Sequence, residues 1–260
     1  LNLTISCSNN DSEEVYEDLP SLEERLHAGG ETTVFLTSSN SYSTPAPNLS
    51  GTNLTDHLDG DVDFESVFVT APATINQGLG TIFNNSSCIS CHPRDGRPSF
   101  PTNINARSGF FLRVSLSGQL ANGTSIPVPG FGTQIQNQAI FGYQPEAKFQ
   151  VVFSDIVETL ADGTQVILKK PTYSLIDTYI PFPSNGLLSP RIGSPVFGLG
   201  MLEVIPENYI LQIHYINDAN GDGISGNANY VIDAVSGTTK IRRFGWKAIT
   251  STILEQCADA

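Results

Sequence analysis

The sequence predicts a mainly α, loop-rich α+β domain with a β-hairpin and long loop insertions. Apolar residues at helical spacing flank the middle of the chain, which favours helices on either side of it. Two β-rich runs meet at the turn signal "ADGT" and indicate the hairpin. The 23 Gly and 16 Pro in 260 residues indicate many loops between these elements.

Composition narrows the class of protein. The net charge is −13 and the pI is about 4.5, so the chain has no electrostatic attraction to the phosphates of nucleic acid. No run of about twenty apolar residues is present, and the sequence therefore contains no candidate transmembrane helix.

Residues 1–50 form a polar arm or linker before the predicted domain. The chain begins with Leu1, so we expect an upstream segment. "LNLTISCSNNDSEEVYEDLP" resembles the end of an exported signal segment, followed by a lipid-bearing Cys7. If Cys7 carries a lipid, that lipid would be the only membrane attachment. The alternative is an unstructured arm with an incidental cysteine.

A domain is expected from residue 51 to 260, with a β insertion at about 110–190. Within this insertion, residues 148–175 contain two β-rich runs around "ADGT", which predict a β-hairpin. "SIPVPGFGTQIQNQAIFG" predicts extended chain and then a short helix. "VFGLGMLEVIPENYILQIHYI" is helical in pattern, with Pro206 at a helix start.

Cys88, Cys91 and His92 form a C-x-x-C-H motif, the spacing of c-type haem attachment. Two thiols one helical turn apart can add to the two vinyl groups of one haem. The adjacent imidazole can then bind the iron from the same side. Covalent haem c is therefore the predicted cofactor.

Two other sites share part of this pattern. A structural zinc site needs four ligands, but Cys7 and Cys257 lie far from the motif in the sequence. A thioredoxin-like dithiol follows a strand in a βαβ unit, which the preceding residues do not indicate. The pattern favours haem, and haem c assembly implies the periplasm or the outer-membrane surface of a bacterium.

Arginines and a few possible axial ligands complete the candidate haem site. Arg97, and less strongly Arg94, could pair with a haem propionate or be solvated surface charges. The sixth axial ligand decides between electron transfer and peroxide chemistry. The candidates are Met201, which could equally be a core residue, and three histidines: His27, His57 and His214.

A calcium-like loop follows in "NDANGDGISGNANY". Its candidate ligands are Asp218, Asn220, Asp222 and the carbonyl of Ile224. Asn229 stands at position 12, where an EF-hand has a bidentate Glu, so an EF-hand proper is not expected. The alternative is a metal-free turn, which Asp, Asn and Gly also favour.

Several blocks in order resemble one family. They are "GLGTIFNNSSCISCHPRDGRP", "PVPGFGTQIQNQAIFG", "ADGTQVILKKPTY", "LLSPRIGSPVFGLGMLEVIPE", "DANGDGISGNANYV" and "RRFGWKA". From about residue 60 to 256 the chain resembles the bacterial di-haem oxidoreductases, also labelled thiol oxidoreductases and related to di-haem cytochrome c peroxidases. The family pattern has a second C-x-x-C-H, which these 260 residues lack. We therefore expect a second haem domain beyond residue 260, and the alternative is that a second haem is absent.

The resemblance implies a cytochrome-c-like haem domain with β and loop insertions, and calcium between haem domains. It makes Glu203 a candidate catalytic acid/base, with a surface or helix-capping carboxylate as the alternative. Trp246 becomes a candidate for an electron route between haems, and the alternative is that it is a core residue. Relatives commonly carry Leu at the position of Met201, which argues against Met201 as an iron ligand.

Three functions remain open at this point. The first is a periplasmic c-type haem oxidoreductase that passes electrons to peroxide or another small-molecule oxidant. Its electrons would come from a donor protein or a second haem domain. The alternatives are a non-enzymatic electron-carrier cytochrome, and a haem lipoprotein scaffold in a surface or iron-uptake assembly.

Overall fold

The computed structural model of the protein describes residues 21–101, 108–120, 124–215, 217, 218, 221, 223–246 and 248–259. The chain falls into two compact units, one ending at Asp61 and one beginning at Val62. This boundary lies inside helix α2 (Gly51–Glu65), which begins where the sequence predicts the domain to start. The assignment of residues 1–50 as a linker and 51–260 as a haem domain stays a prediction.

The first unit contains short, locally stabilised elements. Helix α1 (Leu22–Leu26) begins after Ser21, whose side chain accepts a hydrogen bond from the backbone N–H of Glu24. The Glu24 carboxylate accepts one from the N–H of Ser21 in return. This capping box satisfies backbone donors that a helix leaves free at its start. Two 3-10 turns follow, at Gly30–Thr32 and Ser41–Ser43.

The second unit consists of small antiparallel sheets and short helices. Its strands are β1 (Ile82–Phe83), β2 (Phe110–Gln119), β3 (Ser125–Ile126), β4 (Gln138–Ala139), β5 (Lys148–Thr159), β6 (Gln165–Ile176), β7 (Leu187–Ile192), β8 (Tyr230–Ile232) and β9 (Thr239–Ile241). Its helices after α2 are α3 (Cys88–Cys91), α4 (Leu199–Glu203), α5 (Glu207–Gln212) and α6 (Ile253–Asp259). Strand β2 lies between β3 and β7, while β1 pairs with β4, β5 with β6, and β8 with β9.

The prediction of a mainly α, cytochrome-c-like fold is wrong. Of the described residues, 23% lie in helices and 27% in strands. The helical pattern after residue 196 yields only α4 and α5, because Pro206 lacks the N–H that a continuous helix needs. The short helix expected before residue 142 is replaced by strand β4, which pairs with β1.

The predicted hairpin over residues 148–175 is confirmed. Strands β5 and β6 pair along their full length, from Lys148 opposite Ile176 to Thr159 opposite Gln165. The turn is closed by Asp162, whose carboxylate accepts a hydrogen bond from the N–H of Thr164 at 2.9 Å. Gly163 follows with a φ of 86°, which glycine adopts without a steric penalty.

The core lies on one face of β2. Phe110, Leu112 and Val114 alternate into it and are 1–3% exposed. They pack with residues from the following loops and from the base of the hairpin: Val128, Phe131, Ile135, Ala147 and Phe149. The intervening residues of β2 point to the opposite face, because successive side chains alternate along a strand. That opposite face borders the candidate site.

None of the described helices has the length and apolar character that would let it cross a lipid bilayer.

Candidate functional site

The C-x-x-C-H residues occupy a single tight turn. Helix α3 spans only Cys88–Cys91, and His92 leaves the helical region with φ −126° and ψ 60°. Pro93 explains this early end, because a residue before proline is disfavoured in the α conformation. The Cys88 side chain is exposed and Cys91 is half-buried. Both thiols are therefore on one short turn with the imidazole directly behind them.

The His92 ring is oriented by a backbone carbonyl. Its Nδ1 lies 2.6 Å from the carbonyl oxygen of Ser194, the second residue after strand β7. A carbonyl only accepts, so Nδ1 carries the proton and donates it. The ring of Phe64 lies 6.3 Å away, measured between ring centroids. This tautomer leaves the Nε2 lone pair of His92 for a metal, as is usual for metal-binding histidines.

Two glycines make room for the turn. A Cβ atom on Gly193 would stand 2.7 Å from the carbonyl oxygen of Cys91 and 3.2 Å from Cε1 of His92. A Cβ atom on Gly109 would stand 2.5 Å from the same oxygen and 2.8 Å from the Cα of Cys91. Real Cβ atoms do not approach other heavy atoms so closely, so only glycine allows the turn to lie here.

Asn85 holds the sulfur of Cys91. Its Nδ2 donates to Cys91 Sγ at 3.0 Å and to the carbonyl oxygen of Ser108 at 3.0 Å. Next to it, the hydroxyls of Ser87 and Ser90 lie 2.5 Å apart. Asn85 therefore joins the cysteine turn to the segment that enters β2.

The surroundings favour the protonated form of both thiols. Partial desolvation of its sulfur raises the pKa of Cys88, and the electrostatic interaction with Cys257 in α6 raises it further. Burial also raises the pKa of Cys91, while the hydrogen bond from Asn85 opposes that rise. Cys257 itself is exposed.

The other predicted haem-site residues lie outside this turn. Arg97 is exposed. Met201 is 73% exposed, so the alternative of a core methionine is wrong. The Glu203 carboxylate accepts a hydrogen bond at 2.9 Å from the N–H of Ile253, the first residue of α6. Within the described part of the chain, no hydrogen bond or ion pair joins Met201 or Glu203 to the cysteine turn.

An arginine fixes the helix that carries Met201 and Glu203. Arg243 Nη1 donates to the carbonyl oxygens of Leu202, Glu203 and Ile205, at 3.1, 2.9 and 2.6 Å. A cation at the C-terminal end of a helix satisfies carbonyls that have no helical partner. The position of α4 is therefore set by α6 and by Arg243.

The other three candidate histidines each contact a different group. His214 Nδ1 accepts a hydrogen bond from the N–H of Ala228 at 2.9 Å, so its proton is on Nε2. His57 Nε2 lies 3.5 Å from a carboxylate oxygen of Asp61, in the first unit. His27 packs its ring edge-on against Phe35, with 5.3 Å between centroids.

Trp246 is 61% exposed, which shows that the alternative of a core tryptophan is wrong. The guanidinium carbon of Arg191, in β7, lies 4.6 Å from the centroid of its ring. This distance is within the range of a cation–π interaction. Trp246 therefore holds a cation beside the sheet.

The calcium-like loop is described only in part, since Asn220 and Asp222 lie outside the described residues. Asp218 has a φ of 48°, and its Oδ2 accepts a hydrogen bond from the N–H of Gly223 at 3.1 Å. Its Oδ1 is buried, and no donor among the described residues reaches it. Over the same residues, no group of three or more His, Cys, Asp or Glu side chains is arranged to hold a metal ion.

Sequence reasoning missed the residues that position the cysteine turn. They are Asn85, Gly109, Gly193 and Ser194. The available signals were a glycine directly before β2, a glycine directly after β7 and an asparagine three residues before Cys88. None of these signals says which distant segment the residue meets.

Comparison with known proteins identifies the family. A family model described as "Di-haem oxidoreductase, putative peroxidase" matches residues 23–260. No curated protein and no solved structure matches the chain. The match covers most of the chain, and the family name implies haem as the cofactor. The chain is therefore a member of the di-haem oxidoreductase family.

Proposed function

We propose that this chain carries one covalently bound haem c of a periplasmic, peroxidase-like oxidoreductase. One observation carries the proposal: the Nδ1 of His92 donates to the carbonyl of Ser194, beside the thiols of Cys88 and Cys91. This arrangement leaves the Nε2 lone pair of His92 available to bind the haem iron. Family membership supports the oxidoreductase class.

The residues of the turn fit a c-type haem. Cys88 and Cys91 would each add their S–H across one vinyl group, which needs neither oxidant nor reductant. His92 Nε2 would bind the iron. Gly109 and Gly193 leave room for the backbone of this turn, and the carbonyl of Ser194 orients the imidazole.

Bound haem would supply the one-electron chemistry that reduces peroxide. The chain must also move protons, and Glu203 is the residue that we propose for this role. One carboxylate oxygen is held by the N–H of Ile253, and the side chain is otherwise exposed. General acid/base catalysis of this kind contributes about a hundredfold to ten-thousandfold in rate.

A carrier function is the second candidate, and the exposure of Met201 favours it. A thioether that is 73% exposed would be available to bind the haem iron. Iron bound by Met201 would be closed to peroxide. Replacing Met201 with Ala would then convert the ferric spectrum from low-spin to high-spin.

Two further parts of the proposal concern the surroundings of the haem. We propose that Asp218 binds calcium, together with the carbonyl of Ile224 and with Asn220 and Asp222; the buried Oδ1 of Asp218 supports this. We also propose export to the periplasm or outer-membrane surface, with Cys7 as the lipid-bearing residue. A donor protein or a second haem domain would supply electrons.

The test is covalent haem in the exported protein. Wild-type protein should keep its visible haem spectrum with the polypeptide after denaturation. The double change Cys88→Ser and Cys91→Ser should abolish this, and His92→Ala should alter the ferric spectrum. Cys257→Ser is the matched control, because it removes an exposed cysteine outside the motif. Wild-type protein without covalent haem would overturn the proposal.

Peroxide then separates the two candidate functions. High-spin ferric protein that reacts with peroxide supports the peroxidase-like enzyme. Low-spin protein that does not react supports the carrier.

Calcium binding is tested separately by calorimetry with Ca²⁺. Asp218→Asn is compared with Asp177→Asn, which changes an exposed aspartate paired with Lys148.

A further inference from the structure

The cysteine turn lies on one defined face of the β2–β7 ladder. The N–H of Gly193 donates to the carbonyl of Gly109 at 3.0 Å, one residue pair beyond Phe110 and Ile192. The two glycines therefore continue the strand register. Their Cβ positions both point at the Cys91 backbone, so this turn covers the face on which they lie.

Two arginines belong to the same face. Side chains alternate along a strand, so Arg191 faces the same side as Gly193, and Arg113 the same side as Gly109. Phe111 is opposite Arg191, and Ser189 is opposite Arg113. The other face is the apolar core. At about 3.4 Å per residue, Arg191 is about 7 Å along the ladder from Gly193.

The positive charges of Arg113 and Arg191 interact, and few negative groups nearby balance them. Burial lowers the pKa of Arg113, and the charge of Arg191 lowers it further, while Asp259 opposes this. Arg113 donates to Gln134 Oε1 at 3.3 Å, and Arg191 stacks on Trp246. Among the described residues, neither arginine has a carboxylate within ion-pair distance. Two adjacent like charges are unfavourable unless an anion joins them.

We propose that Arg191 and Arg113 bind the propionate carboxylates of the haem attached at Cys88 and Cys91. This inference rests on the proposed function. The vinyl groups and the propionates lie on opposite edges of the porphyrin, so the propionate partners must stand some distance from the cysteines. A planar guanidinium matches a carboxylate with two parallel hydrogen bonds. Trp246 acts as a positioning residue that holds Arg191 ready.

The inference assigns propionate binding to these residues instead of Arg97. Arg97 lies five residues after His92 and is exposed, so a salt bridge there would be solvated and weak. Arg113 is half-buried, where a charge pair is screened less by water.

The experiment measures the midpoint potential of the covalent haem in single-charge variants. Arg191→Gln and Arg113→Gln are compared with Arg97→Gln, and Lys170→Gln removes an exposed hairpin charge as the control. Loss of a cation next to a propionate favours the ferric state, so the potential should fall in the first two variants more than in the control. Arg191→Lys should recover part of the shift, because it keeps the charge and loses the planar geometry. Resonance Raman spectra should show the propionate bending band shifted in Arg191→Gln.

The outcomes distinguish this inference from the proposed function. The inference alone is overturned if all variants carry covalent haem and the midpoint potentials of Arg191→Gln and Arg113→Gln equal that of Lys170→Gln. A shift confined to Arg97→Gln also overturns it. Wild-type protein that lacks covalent haem overturns the proposed function, and the inference falls with it. If Arg191→Gln does not fold, Arg113→Gln and Arg191→Lys decide the result.

Discussion

The side-chain amide of Asn85 lies 3.0 Å from the sulfur of Cys91 and donates a hydrogen bond to it. The same nitrogen donates to the carbonyl of Ser108, just before β2. One residue therefore links the thiol to the strand that supports the cysteine turn.

Replacing Asn85 with Leu should make the Cys91 thiol less reactive in haem-free protein. The hydrogen bond stabilises the thiolate, so its loss should raise the pKa of Cys91 further above its usual value. Alkylation of Cys91, followed by peptide mass spectrometry across a pH series, should slow by up to about tenfold at fixed pH. Asn185→Leu changes an exposed asparagine and should leave the rate unchanged. An unaltered rate in Asn85→Leu would contradict the assigned role.

Gly193→Ala should displace the His92 imidazole. The new methyl group would meet the Cys91 carbonyl at 2.7 Å, so the turn must shift. We expect a loss of about 1–3 kcal/mol in the free energy of unfolding, a cost typical of overpacking, together with reduced covalent haem. Urea denaturation and haem staining measure the two effects. Gly200→Ala is the control, since its Cβ would meet nothing within 4 Å; equal behaviour of the two variants would refute the prediction.

Asp233 should contribute stability that disappears in acid. The carboxylate is 1% exposed and is bonded to Ser236, Lys240 and Ser251. Hydrogen bonds from Ser236 and Lys240 hold its pKa well below the usual range. The stabilising effect is therefore complete above the unfolded-state pKa of about 3.9 and is lost as pH falls towards the native value.

Thermal unfolding of Asp233→Asn across pH tests this linkage. The variant should have a lower Tm than wild type at pH 7, and the difference should shrink as the pH drops below about 4. Asp177→Asn removes an exposed ion pair with Lys148 and should change the Tm little at any pH. A difference that grows in acid would show the wrong sign and reject the assignment.

Leu112→Ala should be strongly destabilising, because Leu112 is 1% exposed at the centre of the core. Removing a large buried side chain of this kind costs about 2–5 kcal/mol. Leu160→Ala, near the hairpin turn and 50% exposed, should cost about 0.5 kcal/mol or less. If the two variants lost similar amounts of unfolding free energy in denaturant, Leu112 would not be at the centre of the core.

Local patterns in the sequence determined several features of this protein. The C-x-x-C-H spacing placed both thiols and the imidazole on one turn, and the "ADGT" signal located the β5–β6 hairpin. Pro206 marked the break between α4 and α5. The order of several motif blocks identified the family, which the match over residues 23–260 confirmed. The cysteine turn, the hairpin and the helix break each depend on residues close together in the chain, whereas the family depends on the order of blocks along most of it.

Tertiary structure alone decided the rest. His92 and Ser194 are 102 residues apart, and the contacts of Gly193 and Gly109 with the cysteine turn depend on the register of β2 with β7. Pairing between distant segments also formed the β1–β4 and β2–β7 ladders. Hydrophobic periodicity reports which side of an element is apolar, but it does not specify which remote segment pairs with it. The partners of the cysteine turn were therefore set by long-range strand register, which no local pattern in the sequence encodes.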